Sequence, residues 1–239
     1  MKYRISFLLI LGSFALQAQE DCTSIFNKVV ANATAKRKPA AATGFDISCS
    51  VRMVNDNNVV QKDEIEMKMM GTQYYYKAGA IALYQDEQTL VIVNAENRSV
   101  FLTRPMPDLY RQNQFDQISK LQDSVLRAYE VRSCAKEYGS VDPDRGYYKL
   151  VMQPGKNVKE GAVQSAVYWV TKDELEIKKI QVHYSANAGY GIKEYEMLIN
   201  HMKVGGGAKP FQGRALEQVL VGTKLKESLA TYQLIDKRY

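Results

Sequence analysis

"YYYKAGAIALYQDEQTLVIVNAENRSVFL", from Tyr74 to Leu102, decides the fold. Its apolar segments are too short to span a bilayer, and they read as strands rather than helices. "TQYYYKAG" and "AIALYQ" predict two short strands, and "TLVIVN" and "SVFLTR" predict a hairpin closed by "AENR". In "TLVIVN" both parities are apolar, so that strand is expected to be central or covered on both faces.

The same pattern extends outward. Upstream, "GFDISCSVRMV" places Phe45, Ile47, Cys49, Val51 and Met53 on one face and polar residues on the other. "NDNN" at Asn55–Asn58 is a turn by composition, and "VVQKDEIEMKMMG" is the return strand, with Ile65, Met67 and Met69 sharing a face. Before these strands, Ile25, Phe26, Val29, Val30 and Ala33 repeat at helical spacing, ended by Pro39 and Gly44. Downstream, Pro105 and Pro107 stop the sheet, and Asp108–Tyr129 reads as a long amphipathic helix with Leu109, Phe115, Ile118, Leu121 and Val125 along one side. "YYKLVMQPG", "AVQSAVYWVT", "KDELEIKKIQVHYS" and "IKEYEMLINHMKV" predict four more strands, ending at Gly205–Gly207. The tail reads two ways: "RALEQVLV" as helix or not, "ATYQLIDKRY" as a last strand. The fold class is α+β, mainly antiparallel β. The expected form is a strongly curved meander, an incomplete barrel, with an N-terminal helix and a central lid-like helix.

The N-terminus predicts export. Lys2 and Arg4 precede an apolar stretch from Ile5 to Leu16, and Ala18 offers a small residue for signal peptidase, so residues 1–18 read as a cleaved signal. Glu20 and Asp21 stand where a lipidation signal needs small residues, so Cys22 is not expected to carry a lipid anchor. Residues 19–239 then form one domain of about 220 residues, with the segment beyond about Gly205 unplaced. The net charge is +6, two units of which leave with Lys2 and Arg4, and the remaining bases are interleaved with acids. No nucleic-acid footprint is expected. Cys22, Cys49 and Cys134 allow one disulfide among three pairings, and spacing does not choose.

Catalytic equipment is sparse. His183 and His201 are the only histidines, with no GxSxG elbow and no HxxxH or HxH spacing. "GGGAKPFQG" lacks the lysine and hydroxyl positions of a phosphate loop, and Asp173, Glu174, Glu194 and Glu196 lie on turns or a polar strand face. The chain is read as a non-enzyme without cofactor or metal. Its sixteen tyrosines and nine methionines are distinctive instead, since both suit surfaces that accept apolar shapes.

The order of helix, antiparallel strands, amphipathic helix and further strands resembles the LolA-type periplasmic lipoprotein carriers. The helix at Ser24–Thr34, the strands from Phe45 to Thr103 and the hairpin "VQSAVYWVTKDELEIKKIQVHY" carry that resemblance. It is one of layout, so no family binding residue carries over. It implies a half-barrel whose apolar face holds an acyl chain, lipid or lipoprotein in the periplasm, partnered by a membrane-anchored protein. The expected lining comprises Phe45, Ile47, Val51, Ile65, Met67, Met69, Val91, Val93, Phe101, Val167, Trp169, Val182 and Met197, with Phe115, Ile118 and Leu121 from the lid. The alternative is an envelope scaffold whose half-barrel is filled by its own side chains.

Overall fold

The structure is a computed structural model that describes residues 22–32, 35, 44–106, 129–155, 163–186, 189, 191–205 and 209–238. The expected signal segment and the central helix lie outside these residues, except Tyr129, which begins a strand. The fold is mainly antiparallel β. After helix α1 (residues 22–32) come β1 (Phe45–Asn55), β2 (Val60–Met70), β3 (Gln73–Ala78), β4 (Ile81–Gln85), β5 (Leu90–Asn94) and β6 (Ser99–Thr103). Then follow β7 (Tyr129–Tyr138), β8 (Gly146–Pro154), β9 (Val163–Thr171), β10 (Ile177–Tyr184) and β11 (Ile192–Val204). The tail adds the small hairpin β12 (Leu220–Val221) and β13 (Lys224–Leu225), two 3-10 turns, and β14 (Gln233–Lys237).

Twelve strands join one sheet in the order β14-β6-β5-β4-β3-β2-β1-β11-β10-β9-β8-β7. Of the pairings whose register is described, all are antiparallel except β14 on β6, because the tail returns to that edge in the same direction. The strand expected in "ATYQLIDKRY" is therefore present. "RALEQVLV" forms only a 3-10 turn at Leu216–Gln218 and the first arm of a hairpin.

The chain divides into two compact units. Unit 1 contains Met1–Ala35, Met53–Gln61 and Gln122–Leu198, and unit 2 contains Lys36–Arg52, Lys62–Leu121 and Ile199–Tyr239.

In unit 1, α1 lies on the sheet face formed by β7 to β10. Its buried Cys22, Phe26 and Val29 pack against Val131, Leu150, Met152, Ala166 and Val170. This is the stripe that helical spacing foretold, with Cys22 added one turn earlier. The Asn32 side-chain amide donates to the Glu174 carbonyl at 2.7 Å. A disulfide from Cys22 to Cys134 fastens the helix to β7, and Cys49 remains a free, buried thiol.

In unit 2, alternation sorts the meander into two faces. Gly44 shows why its start is fixed: at φ 95° it lies so close to β2 that a Cβ would strike the Met69 carbonyl oxygen. Its own carbonyl accepts the Gly205 N–H at 3.0 Å.

The disulfide closes a separation of 112 residues. Loops of that size restrict the unfolded chain strongly, so its removal by reduction or by Cys134→Ser is expected to cost about 2–5 kcal/mol. Denaturant unfolding with and without dithiothreitol measures this, and an unchanged midpoint would exclude the bridge.

Candidate functional site

The register across unit 2 aligns one row of side chains. Met67 stands opposite Tyr76, Tyr76 opposite Leu83, Leu83 opposite Ile92, Ile92 opposite Phe101, and Ile235 beside Phe101. Six apolar residues thus run across β2, β3, β4, β5, β6 and β14 on one face. At about 4.8 Å per strand the row is roughly 24 Å long. None of the six is buried: Phe101 is 38% exposed and the others are half-buried.

One flank of the row is closed and the other is only partly covered. On the closed flank, Met69, Tyr74, Gln85 and Leu90 are buried. Gln85 holds the segment that leaves β6 there: its amide donates to the Met106 carbonyl at 3.2 Å and accepts the Met106 N–H at 3.3 Å. On the other flank, Ile65, Ala78 and Ile81 are followed by Asn94, Ser99 and Gln233. Ile81 is 44% exposed, whereas the Ser99 hydroxyl is buried without a hydrogen-bond partner.

The opposite face is used up. Tyr75, Tyr84, Val91, Val93, Val100 and Leu102 lie under the tail residues Phe211, Ala215, Val219, Leu229 and Tyr232. Tyr84 meets Phe211 edge-on with ring centroids 5.8 Å apart. The Asp86 carboxylate accepts the Ala215 N–H at 2.7 Å, and the Gln73 side chain donates to the Gly213 carbonyl at 2.9 Å.

This geometry divides the expected lining. Phe45, Ile47, Met67 and Met69 share one cluster with Tyr74, Tyr76 and Leu83. Ile65 and Phe101 belong to the same face by register, and Val51 has the parity of Phe45. Val91 and Val93 do not join them: they point to the covered face, and Ile92 occupies the row instead. The cause is the doubly apolar strand, in which composition offers no polar parity to mark the outside. Phe115, Ile118 and Leu121 lie outside the described residues.

In unit 1, Val182 packs under α1 with the main cluster, and Met197 pairs with Ile180 on that face. Val167 and Trp169 have the other parity of β9 and cluster with Tyr147. The Lys149 and Lys179 ammonium groups stand 5.4 and 4.9 Å from the Trp169 ring centre. Each lysine also pairs with an acid, Lys149 with Glu137 at 3.1 Å and Lys179 with Glu196 at 3.0 Å. The Trp169 indole N–H donates to Glu137 at 3.0 Å. Desolvation raises the Glu137 carboxyl, but hydrogen bonds from Lys149 and Trp169 outweigh it and hold the group below its ordinary value. Tyr76, Leu83, Ile92 and Ile235 were not foreseen as lining. Their signal is the cross-strand register, which a sequence alone does not print.

Among the described residues no three His, Cys, Asp or Glu side chains converge as a metal site would require. No described helix is long and apolar enough to cross a membrane.

No protein-family model matches the chain, and no curated protein matches it by sequence. Solved structures similar to it include LprF from Mycobacterium bovis, at 7% identity and TM-score 0.43, covering 78% of this chain and 97% of that one. A LolA superfamily protein from Nitrosomonas europaea is similar at 9% identity and TM-score 0.29, covering 73% and 94%. A putative outer membrane lipoprotein-sorting protein domain from Vibrio parahaemolyticus is similar at 10% identity and TM-score 0.28, covering 84% and 95%. The likeness concerns layout alone and assigns no ligand.

Burial, with Tyr76 nearby, pushes the Tyr74 phenol up to about 12 from 10.0. A raised folded value means that the stability it contributes is complete below about pH 10 and lost as pH rises through about 12. Tyr74→Phe is therefore expected to flatten the alkaline fall of unfolding free energy in that window. Denaturant titrations at stepped pH read this, and an unchanged slope would contradict the burial of Tyr74.

Proposed function

We propose that this chain is an exported, non-catalytic carrier that lays an acyl chain, of a lipid or a lipoprotein, along the half-buried row of unit 2. The observation that carries the reading is the contrast between its two faces. Val91, Val100 and Leu102 are fully buried beneath the tail, while Met67, Tyr76, Leu83, Ile92, Phe101 and Ile235 are left half-open across six adjacent strands. Contiguous exposed apolar surface of this kind marks a binding surface more than a fold requirement.

The energetics suit such a ligand. Burying an acyl chain is worth about 0.8 kcal/mol per methylene, so a chain of about 14 carbons supplies on the order of 10 kcal/mol before ordering costs. Binding of this kind needs no acid, base or nucleophile. Phe45, Ile47, Val51, Ile65 and Met69 extend the wall beyond the row, and Tyr76 adds a polar tip to an apolar ring. The periplasm suits the Cys22–Cys134 disulfide. The signal at residues 1–18, the lid residues Phe115, Ile118 and Leu121, and a membrane-anchored protein as receiver complete the reading.

A scaffold role finds support in unit 1, where α1 fills the sheet face with the chain's own side chains and Val182 belongs to that filled core. There, function would reside at an edge or loop meeting a protein.

Native mass spectrometry of the mature protein, purified from its own envelope without detergent, is expected to show a discrete added mass that organic extraction releases as lipid or lipopeptide. Ile92→Glu places a charge mid-row and is expected to weaken uptake of a fluorescent fatty acid by at least about tenfold. Val221→Glu, at an exposed hairpin site, is expected to leave uptake unchanged. A clean apoprotein that takes up no fatty acid would overturn the carrier and leave the scaffold.

A further inference from the structure

Unit 1 carries a feature that the acyl row does not use: the outer edge of β7, which is free among the described residues. This strand ends the sheet order, and from Tyr129 to Tyr138 it pairs on one side with β8. Nothing among the described residues pairs with its other side. A bulge at Arg132 shifts the register near its start, which is a common way of blunting an edge. From Ser133 to Tyr138 the pairing runs without a further shift, leaving a straight run of backbone donors and acceptors along the sheet margin.

A cleft of about 350 Å³ opens beside that run, between α1 and the sheet. Ile25 and the Cys134 sulfur supply apolar surface, Lys28 and Lys136 supply charge, and Ser24 and Tyr148 supply hydroxyls. No carboxylate lines it. Lys149 and Lys179, on the other face of the same strands, are each matched by a glutamate. Lys28 and Lys136 have no ion-pair partner among the described residues. The cleft is therefore positively charged, and its two walls are joined by the Cys22–Cys134 bridge.

We infer that the free edge of β7 receives an extended segment of a partner protein, with an acidic side chain of that segment seated between Lys28 and Lys136. An added strand hydrogen-bonds through its main chain and places every second side chain over one sheet face. Lys136 and Cys134 share the parity of β7 that faces α1, since they stand opposite Tyr148 and Leu150. An aspartate or glutamate of the incoming strand on that side reaches the two ammonium groups, and its methylenes lie on Ile25. A lipid phosphate would match the charge but not the row of main-chain groups, and the edge decides for a peptide. The inference uses unit 1 alone, so it stands or falls separately from the acyl reading.

The test uses the oxidised full-length mature protein and labelled peptides of the length of β7, alternating valine and threonine, with glutamate, glutamine or lysine at the centre. The glutamate peptide is expected to bind about tenfold tighter than the other two, and to weaken with salt. Hydrogen–deuterium exchange should slow in residues 133–138 on binding. Lys136→Glu, at an exposed site, leaves Lys28 facing a carboxylate and should abolish the preference for the glutamate peptide. Equal binding of the three peptides, protection elsewhere such as β14, or no binding into the millimolar range would each overturn the proposal.

Discussion

Phe211, Ala215 and Val219 lie buried against Val91, Val100 and Leu102, and the character of unit 2 depends on that contact. A half-covered sheet needs one buried face, and the tail provides it from the far end of the chain. Each fully buried valine or leucine in that layer contributes roughly 1.5–3 kcal/mol relative to exposure. The tail then adds β14 to the margin of β6, so its ladder and its apolar layer hold each other in place. With one face satisfied in this way, the other face can stay open without loss of the fold. The row from Met67 to Ile235 is the surface that the tail leaves over.

Unit 1 reaches a covered face by another route. Among its described residues the helix supplies three buried side chains, Cys22, Phe26 and Val29, and the bridge to Cys134 adds a covalent tie to β7. On the opposite face, Trp169 is flanked by two ammonium groups whose charges are answered by Glu137 and Glu196. Half-exposed ion pairs of this kind contribute little individually, and here they keep two ammonium groups beside the indole ring. Charge on that face is spent internally, whereas Lys28 and Lys136 have no ion-pair partner among the described residues.

The sequence pattern carried most of the strand layout. Alternation in Phe45–Val51 and in Ile65–Met69 marked two strands, the parity breaking at Val54, which is buried in place of Met53, and the helical stripe of Phe26 and Val29 marked α1. β7 escaped because its bulge at Arg132 puts Val131 and Cys134 three positions apart on one face, a spacing that breaks the two-residue period. The disulfide escaped because three cysteines at unrelated spacings carry no geometry. The last strand in the tail was legible, but its place was not, because parallel pairing and coverage are both set by residues more than a hundred positions away.

The separation of Val91 and Val93 from Ile92 has a deeper cause than register. A side chain that must meet the protein's own core and one that must meet a ligand's acyl chain face the same physical demand: both must be apolar. In β5 both parities are apolar, with Val91 and Val93 beneath the tail and Ile92 in the half-buried row. Hydropathy therefore records that two faces are apolar and cannot record which is covered by the chain itself. That distinction lies in where the last thirty or so residues fold, and Ser99 marks the boundary. Its hydroxyl is buried at the flank of the row with no partner, an arrangement that costs about 1–3 kcal/mol.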